Sequence, residues 1–166
     1  MSRVSLIKRN YDVLSFTEIW LDANTSSSDL SFPLFHILFR RDRPNDAHGG
    51  ILVFMKSDNF VVERRDLEVN DIKCLRLELR IKGIIILIGT FNRHPNSSSA
   101  VLDSIHTSIA LAIDSGIRNI VVTGDINLDI NKASSSRKIR VFMQNLWYVT
   151  NNSQPNALYR DVAVPH

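Results

Sequence analysis

The segment Leu75-Arg76-Leu77-Glu78-Leu79-Arg80-Ile81 constrains this chain more than any other. Apolar and charged residues alternate strictly over seven positions. A period of two matches a β-strand, with one face buried and the other wet, and does not match a helix. Gly83 follows, and then Ile84-Ile85-Ile86-Leu87-Ile88, a run apolar on both faces. The pair predicts a hairpin in which an outer strand leads to a central one. Residues 100–114 then change period. Val101, Ile105, Ile109 and Ile113, with Leu102 and Ala112, recur at helical spacing and predict one apolar helix face. Gly116 sits where a C-cap belongs.

The flanking segments extend this pattern. Asp12–Trp20 is rich in β-branched and aromatic residues and predicts a buried strand. The Ser/Asn/Asp/Thr cluster at 22–31 predicts a loop. Residues 35–39 and Ile51–Met55 predict strands separated by a polar loop, Arg40–Gly50. Asn119–Thr123 predicts another buried strand. A short helix is expected over 2–10 and a further helix over Lys132–Leu146. Strands followed by a strand–helix–strand unit indicate an α/β (α+β) layered fold. No internal repeat or linker divides the chain. One domain is expected over 1–150, with a divergent, loosely held tail over 151–166.

Composition narrows the functions. A chain of 166 residues with 44% hydrophobic content can build one real core. Its net charge of +3 allows a nucleic-acid partner but does not by itself argue for one. The single Cys74 excludes a disulfide partner and a Cys-rich zinc module. The start lacks the apolar stretch of a signal peptide, and no run approaches the ~20 residues that span a bilayer. An intracellular protein without a membrane partner is expected. Oligomeric state leaves no mark in the sequence.

Four segments could carry chemistry. Val121-Val122-Thr123-Gly124-Asp125-Ile126-Asn127-Leu128-Asp129 delivers polar residues at alternate positions beyond a strand. Ligands of α/β sheets bind beyond strand carboxyl ends. A carboxylate and an amide there suit a general base and a phosphate donor; a plain Asx turn is the alternative. The same run is not an EF-hand, because Ile130 and Ser136 stand where Gly and Glu are required. Glu18, beside a hydrophobic strand, is a hard oxygen ligand suited to Mg²⁺, or else an exposed strand-end residue. Arg40, Arg41 and Arg43 surround Asp42 and precede Gly49-Gly50. They could hold phosphates or form local ion pairs. Gly89-Thr90-Phe91-Asn92-Arg93-His94-Pro95 again sets polar groups and a cation at a strand end, with His94 expected on the surface.

In order and spacing, these segments resemble the endonuclease/exonuclease/phosphatase superfamily, and more narrowly the endonuclease domain of non-LTR, jockey- and LINE-like retrotransposons. The resemblance rests on Thr17-Glu18-Ile19-Trp20-Leu21, Arg41-Asp42-Arg43 with Gly49-Gly50, Asn92-Arg93-His94-Pro95 and Gly124-Asp125-Ile126-Asn127. It implies a sandwich of two mixed β-sheets flanked by helices, and Mg²⁺-assisted phosphodiester hydrolysis of DNA, with Mn²⁺ as an alternative ion. It implies that Glu18 is a metal ligand, Asp125 activates water and Asn127 orients the phosphate. Arg43 and Arg93 would contact phosphate or nucleic acid. The family's catalytic Tyr position falls on Asn92. The family's first strand and its late Ser-Asp-His motif have no counterpart here. The expectation is therefore a sandwich incomplete at its N- and C-terminal strands, with weak or no activity. Two alternatives stay open: a non-enzymatic nucleic-acid-binding remnant, or an active phosphatase or phosphodiesterase of the same superfamily.

Overall fold

A computed structural model describes residues 11–21, 24–42 and 49–127. The helices expected over 2–10 and 132–146, the tail over 151–166, and Arg43 lie outside the described residues. The elements run β1 (Val13–Thr17), β2 (Phe35–Arg41), β3 (Ile51–Lys56), β4 (Phe60–Glu63), β5 (Lys73–Ile81), β6 (Ile84–Asn92), α1 (Ala100–Asp114) and β7 (Asn119–Asp125). Short 3-10 turns stand at Ser27–Asp29 and Arg65–Leu67.

The strands form two sheets. The first is antiparallel, in the order β1-β3-β2. The second is mixed, in the order β4-β5-β6-β7, with β6 and β7 parallel. The expected hairpin is present, with Ile81 facing Ile84 across Lys82-Gly83, but β5 is not the outer strand, because β4 pairs along its other side. Both turn residues have positive φ, 49° and 79°, which is the two-residue turn whose twist matches paired strands. The helix joins β6 to the parallel β7, as a parallel pair requires.

Alternation explains how the layers stack. Leu75, Leu77 and Leu79 meet Ile51, Val53 and Met55 between the sheets, with Val13, Phe39 and Ile88 at the margin. Each such side chain, fully buried, stabilises the fold by ~1.5–3 kcal/mol relative to exposure. On the far side of the second sheet, Phe91 and Cys74 pack against Leu102, Ile105 and Ile109 of α1. The outer side of the first sheet is covered by Ile19, Leu21, Leu30 and Phe32.

Several expectations need correction. The charged face of β5 is not uniformly wet, because α1 covers it. Arg76 is 0% exposed, donates to Ser108 Oγ at 2.9 Å, and stacks over the Phe91 ring at 4.9 Å. Gly89 makes room for it: a Cβ there would lie 2.4 Å from Arg76 Nη1. The buried helix face is Leu102, Ile105, Ser108, Ile109 and Ala112, whereas Ile113 is exposed. The first strand stops at Thr17, and Trp20 is 70% exposed. Ile84 and Ile85 are exposed where β6 begins, ahead of its pairing with β7 at Ile86. The β7 strand is only half-buried, being an edge among the described residues. Strand β2 continues through Arg40 and Arg41, which shortens the expected loop.

Candidate active site

One end of the sandwich collects the polar strand ends. Ile88 points between the sheets, so Thr90 and Asn92, at a period of two, point the same way. Two cross-sheet bonds agree with this. Thr90 Oγ1 lies 3.0 Å from Ser15 Oγ, and Asn92 Nδ2 donates to the Gly50 carbonyl at 3.0 Å. In the parallel pair, Val121, Thr123 and Asp125 are register partners of Ile88, Thr90 and Asn92. Asp125 and Asn92 are therefore register partners at the shared end of the two strands.

Asp125 ends its strand and caps the next turn. Its Oδ1 accepts from the Asn127 N–H at 2.9 Å, an Asx turn of the kind Asp favours. Asn127 then takes φ 49°, so the strand alternation stops there. A reciprocal clasp holds this turn. Arg93 N donates to Asp125 O at 2.8 Å, and Asn127 Nδ2 donates to Arg93 O. The Arg93 guanidinium donates to Asn127 O at 3.1 Å and to Ser97 O at 2.8 Å. Gly124 permits the close approach, since a Cβ there would sit 2.0 Å from Phe91 O.

Glu18 stands at the same end. It follows Thr17, whose register partner Ile51 adjoins Gly50. Glu18 is exposed and has φ 55°. Its exposure removes the desolvation cost that a carboxylate beside a core would otherwise carry. The structure thus brings Glu18, Asn92, Asp125, Asn127 and Arg93 to one end.

The pattern matches a known family. Residues 4–158 fit the Endonuclease/Exonuclease/phosphatase family. The chain belongs to that family. Among solved structures, it is similar to the endonuclease domain of TRAS1, a telomere-specific non-LTR retrotransposon. The TM-score is 0.61 at 12% sequence identity, over 88% of this chain and 62% of that one. At that identity the likeness is one of fold, and it agrees with the two-sheet sandwich. The chain spans less than two thirds of that domain's length. No curated protein matches the chain.

Within this family member, Arg40 and Arg41 are engaged by the protein itself. Arg40 pairs with Asp42 and donates to Thr25 O at 2.7 Å. Arg41 pairs with Glu63 and with Glu68, the latter at 3.2 Å. Partial burial pulls the Arg41 pKa down, but the two carboxylates outweigh it and hold the guanidinium above its ordinary value. The local ion-pair alternative therefore describes Arg40, whereas Arg41 pairs with carboxylates distant in the chain. The Arg41 pairs join β2 of the first sheet to β4 and the turn after it on the second. His94 is exposed and accepts from Asn96 N at 3.1 Å.

Among the described residues, no three His, Cys, Asp or Glu side chains cluster to hold a metal. Hard cations such as Mg²⁺ commonly use only one or two carboxylates. Two observations fit such an ion: the exposed Glu18 carboxylate, and the buried Asn92 Oδ1, which has no hydrogen-bond donor. Sequence reading missed one contributor, the Gly50 carbonyl that anchors Asn92. The available signal was Gly49-Gly50. Both residues have positive φ, and a Cβ at Gly50 would lie 3.0 Å from both Arg41 O and Ile19 Cγ1.

Proposed function

We propose that this chain is a retroelement endonuclease-type domain, extending over 1–150, that hydrolyses DNA phosphodiesters with weak or no turnover. The observation that carries the reading is the register pair of Asn92 and Asp125, with Asn127 held in the Asp125 turn at the same sandwich end as Glu18. Glu18 holds the divalent cation, Mg²⁺ or alternatively Mn²⁺. Bound there, the ion supplies Lewis-acid polarisation of a phosphoryl oxygen. Asp125 takes the proton of the attacking water, using the oxygen not committed to Asn127. Asn127 orients the scissile phosphate. Arg43 contacts the nucleic-acid backbone. Arg93, whose guanidinium is engaged with main-chain carbonyls, keeps the Asn127 turn in place for that contact. The domain works inside the cell, where its DNA lies.

Low turnover follows from Asn92. It occupies the position that the resemblance gives to Tyr, it is 3% exposed, and its amide nitrogen faces Gly50. Loss of one preorganised donor typically lowers a rate ~10²–10³-fold. The test is nicking of supercoiled plasmid by purified protein in Mg²⁺. Slow nicking that Asp125→Ala abolishes supports the reading. Rapid nicking abolished by the same variant would overturn the weak-turnover element. Release of phosphate from a phosphomonoester with no nicking would transfer the site to a phosphatase.

A further inference from the structure

The candidate site contains an imbalance of donors and acceptors. Asn92 is buried, and its Nδ2 is fixed on the Gly50 carbonyl at 3.0 Å. That bond settles which end of the amide is oxygen. The Oδ1 atom, buried with the residue, receives no hydrogen bond. Its neighbour across the parallel pair is Asp125. One Asp125 oxygen accepts from Asn127 N, and the carboxylate has no other donor among the described residues. Two residues with oxygen acceptors therefore occupy adjacent register positions at the strand ends, and a buried acceptor left unmatched, as Asn92 Oδ1 is, is unfavourable. The Arg93 guanidinium does not relieve this: Nη1 and Nη2 donate to the Ile126, Asn127 and Ser97 carbonyls, and its buried Nε reaches neither oxygen.

The geometry points to Asn92 Oδ1 and Asp125 as paired oxygen ligands for a hydrated divalent cation at the shared end of β6 and β7. The inference rests on the preceding reading that a divalent cation belongs at this end of the sandwich. It adds a ligand at a position where that reading has only a lost catalytic group. An amide oxygen beside a carboxylate is a normal partial ligand set for a hard cation, which retains waters at its other positions. The arrangement also explains how a site could keep its cation and lose its rate. A carboxylate engaged with a cation is less available to accept a proton from water.

The probe is Mn²⁺ alone, titrated into the full chain and read by electron paramagnetic resonance. Asn92→Asp should tighten binding ~10-fold through added charge, and Asn92→Leu should weaken it ~10-fold. In the unmutated chain, substoichiometric Mn²⁺ should broaden the Asn92 side-chain amide and Asp125 backbone amide signals before those of β4. The last measurement decides the matter if a variant fails to fold. Wild-type affinity in both Asn92 variants, with Glu18→Gln weakened and no selective broadening at Asn92, would overturn this inference alone. Absence of millimolar Mn²⁺ binding by the unmutated chain would overturn both this inference and the cation-dependent function.

Discussion

Replacing Gly124 with Ala tests how the candidate site is held together. Gly124 has φ 117°, and an added Cβ would meet Phe91 O at 2.0 Å, Phe91 N at 2.7 Å and Phe91 C at 2.9 Å. All three neighbours are backbone, so no flexible side chain can move aside. The positive φ alone costs an L-residue ~1–2 kcal/mol. Forcing β7 away from β6 adds an overpacking cost of ~1–3 kcal/mol. The expected loss is about 4 kcal/mol, a large part of the ~5–15 kcal/mol by which a domain is stable. Gly83→Ala is the control. Gly83 also has positive φ, 79°, but nothing lies within 4 Å of its added Cβ. It should lose only the conformational part, ~1–2 kcal/mol. Equilibrium urea unfolding at unchanged slope measures both. Equal losses in the two variants would refute the argument, because they would show that the approach to Phe91 carries no cost.

Two other predictions concern the layer under the helix. Ser108→Ala removes the acceptor of Arg76 Nη2 and the donor to Leu67 O at 3.1 Å. A loss of ~2 kcal/mol is expected by thermal or urea unfolding, part of it recovered when Arg76→Met removes the stranded guanidinium. Full stability in Ser108→Ala alone would contradict this. Burial pushes the Cys74 thiol up to about 11, against a smaller opposing pull from Arg76. Because the folded pKa is raised, this contribution is complete below the ordinary thiol range and is lost as pH rises toward 11. Stability should fall by up to ~3 kcal/mol across that window. A Cys74→Ala variant should lack that part of the slope, and identical slopes would remove thiol burial as the cause.

The parts of the fold written in local pattern were legible in the sequence. Seven alternating residues and a Gly turn identified the β5–β6 hairpin, and the change of period placed α1 at its observed limits. What sequence could not show was which faces a third layer covers. Arg76 alternates like a surface residue and is buried, because α1 lies across its side of the sheet. The four-residue β4 was missed, since it is short and mostly partnered through backbone. At the site, the spacing of Gly124, Asp125 and Asn127 indicated a polar strand end. The pairing of Asn92 with Asp125 is a matter of register between strands linked through a helix, and spacing does not encode it. Arg41 was ambiguous for a similar reason: its partners Glu63 and Glu68 lie more than twenty residues away in the chain.

The bond from Asn92 to Gly50 has a consequence for motion. It runs from the second sheet toward the first across the sandwich interior and, with the Thr90–Ser15 bond, gives the two sheets a polar fastening at the candidate site. Hydrogen-exchange openings occur in cooperative units that follow such supersecondary boundaries. Undocking of the first sheet would leave β5, β6 and β7 paired with each other while releasing Asn92. The site's geometry would then disappear before the second sheet's backbone protection does. Amide exchange and cation affinity, followed together through mild denaturant, would separate those two events.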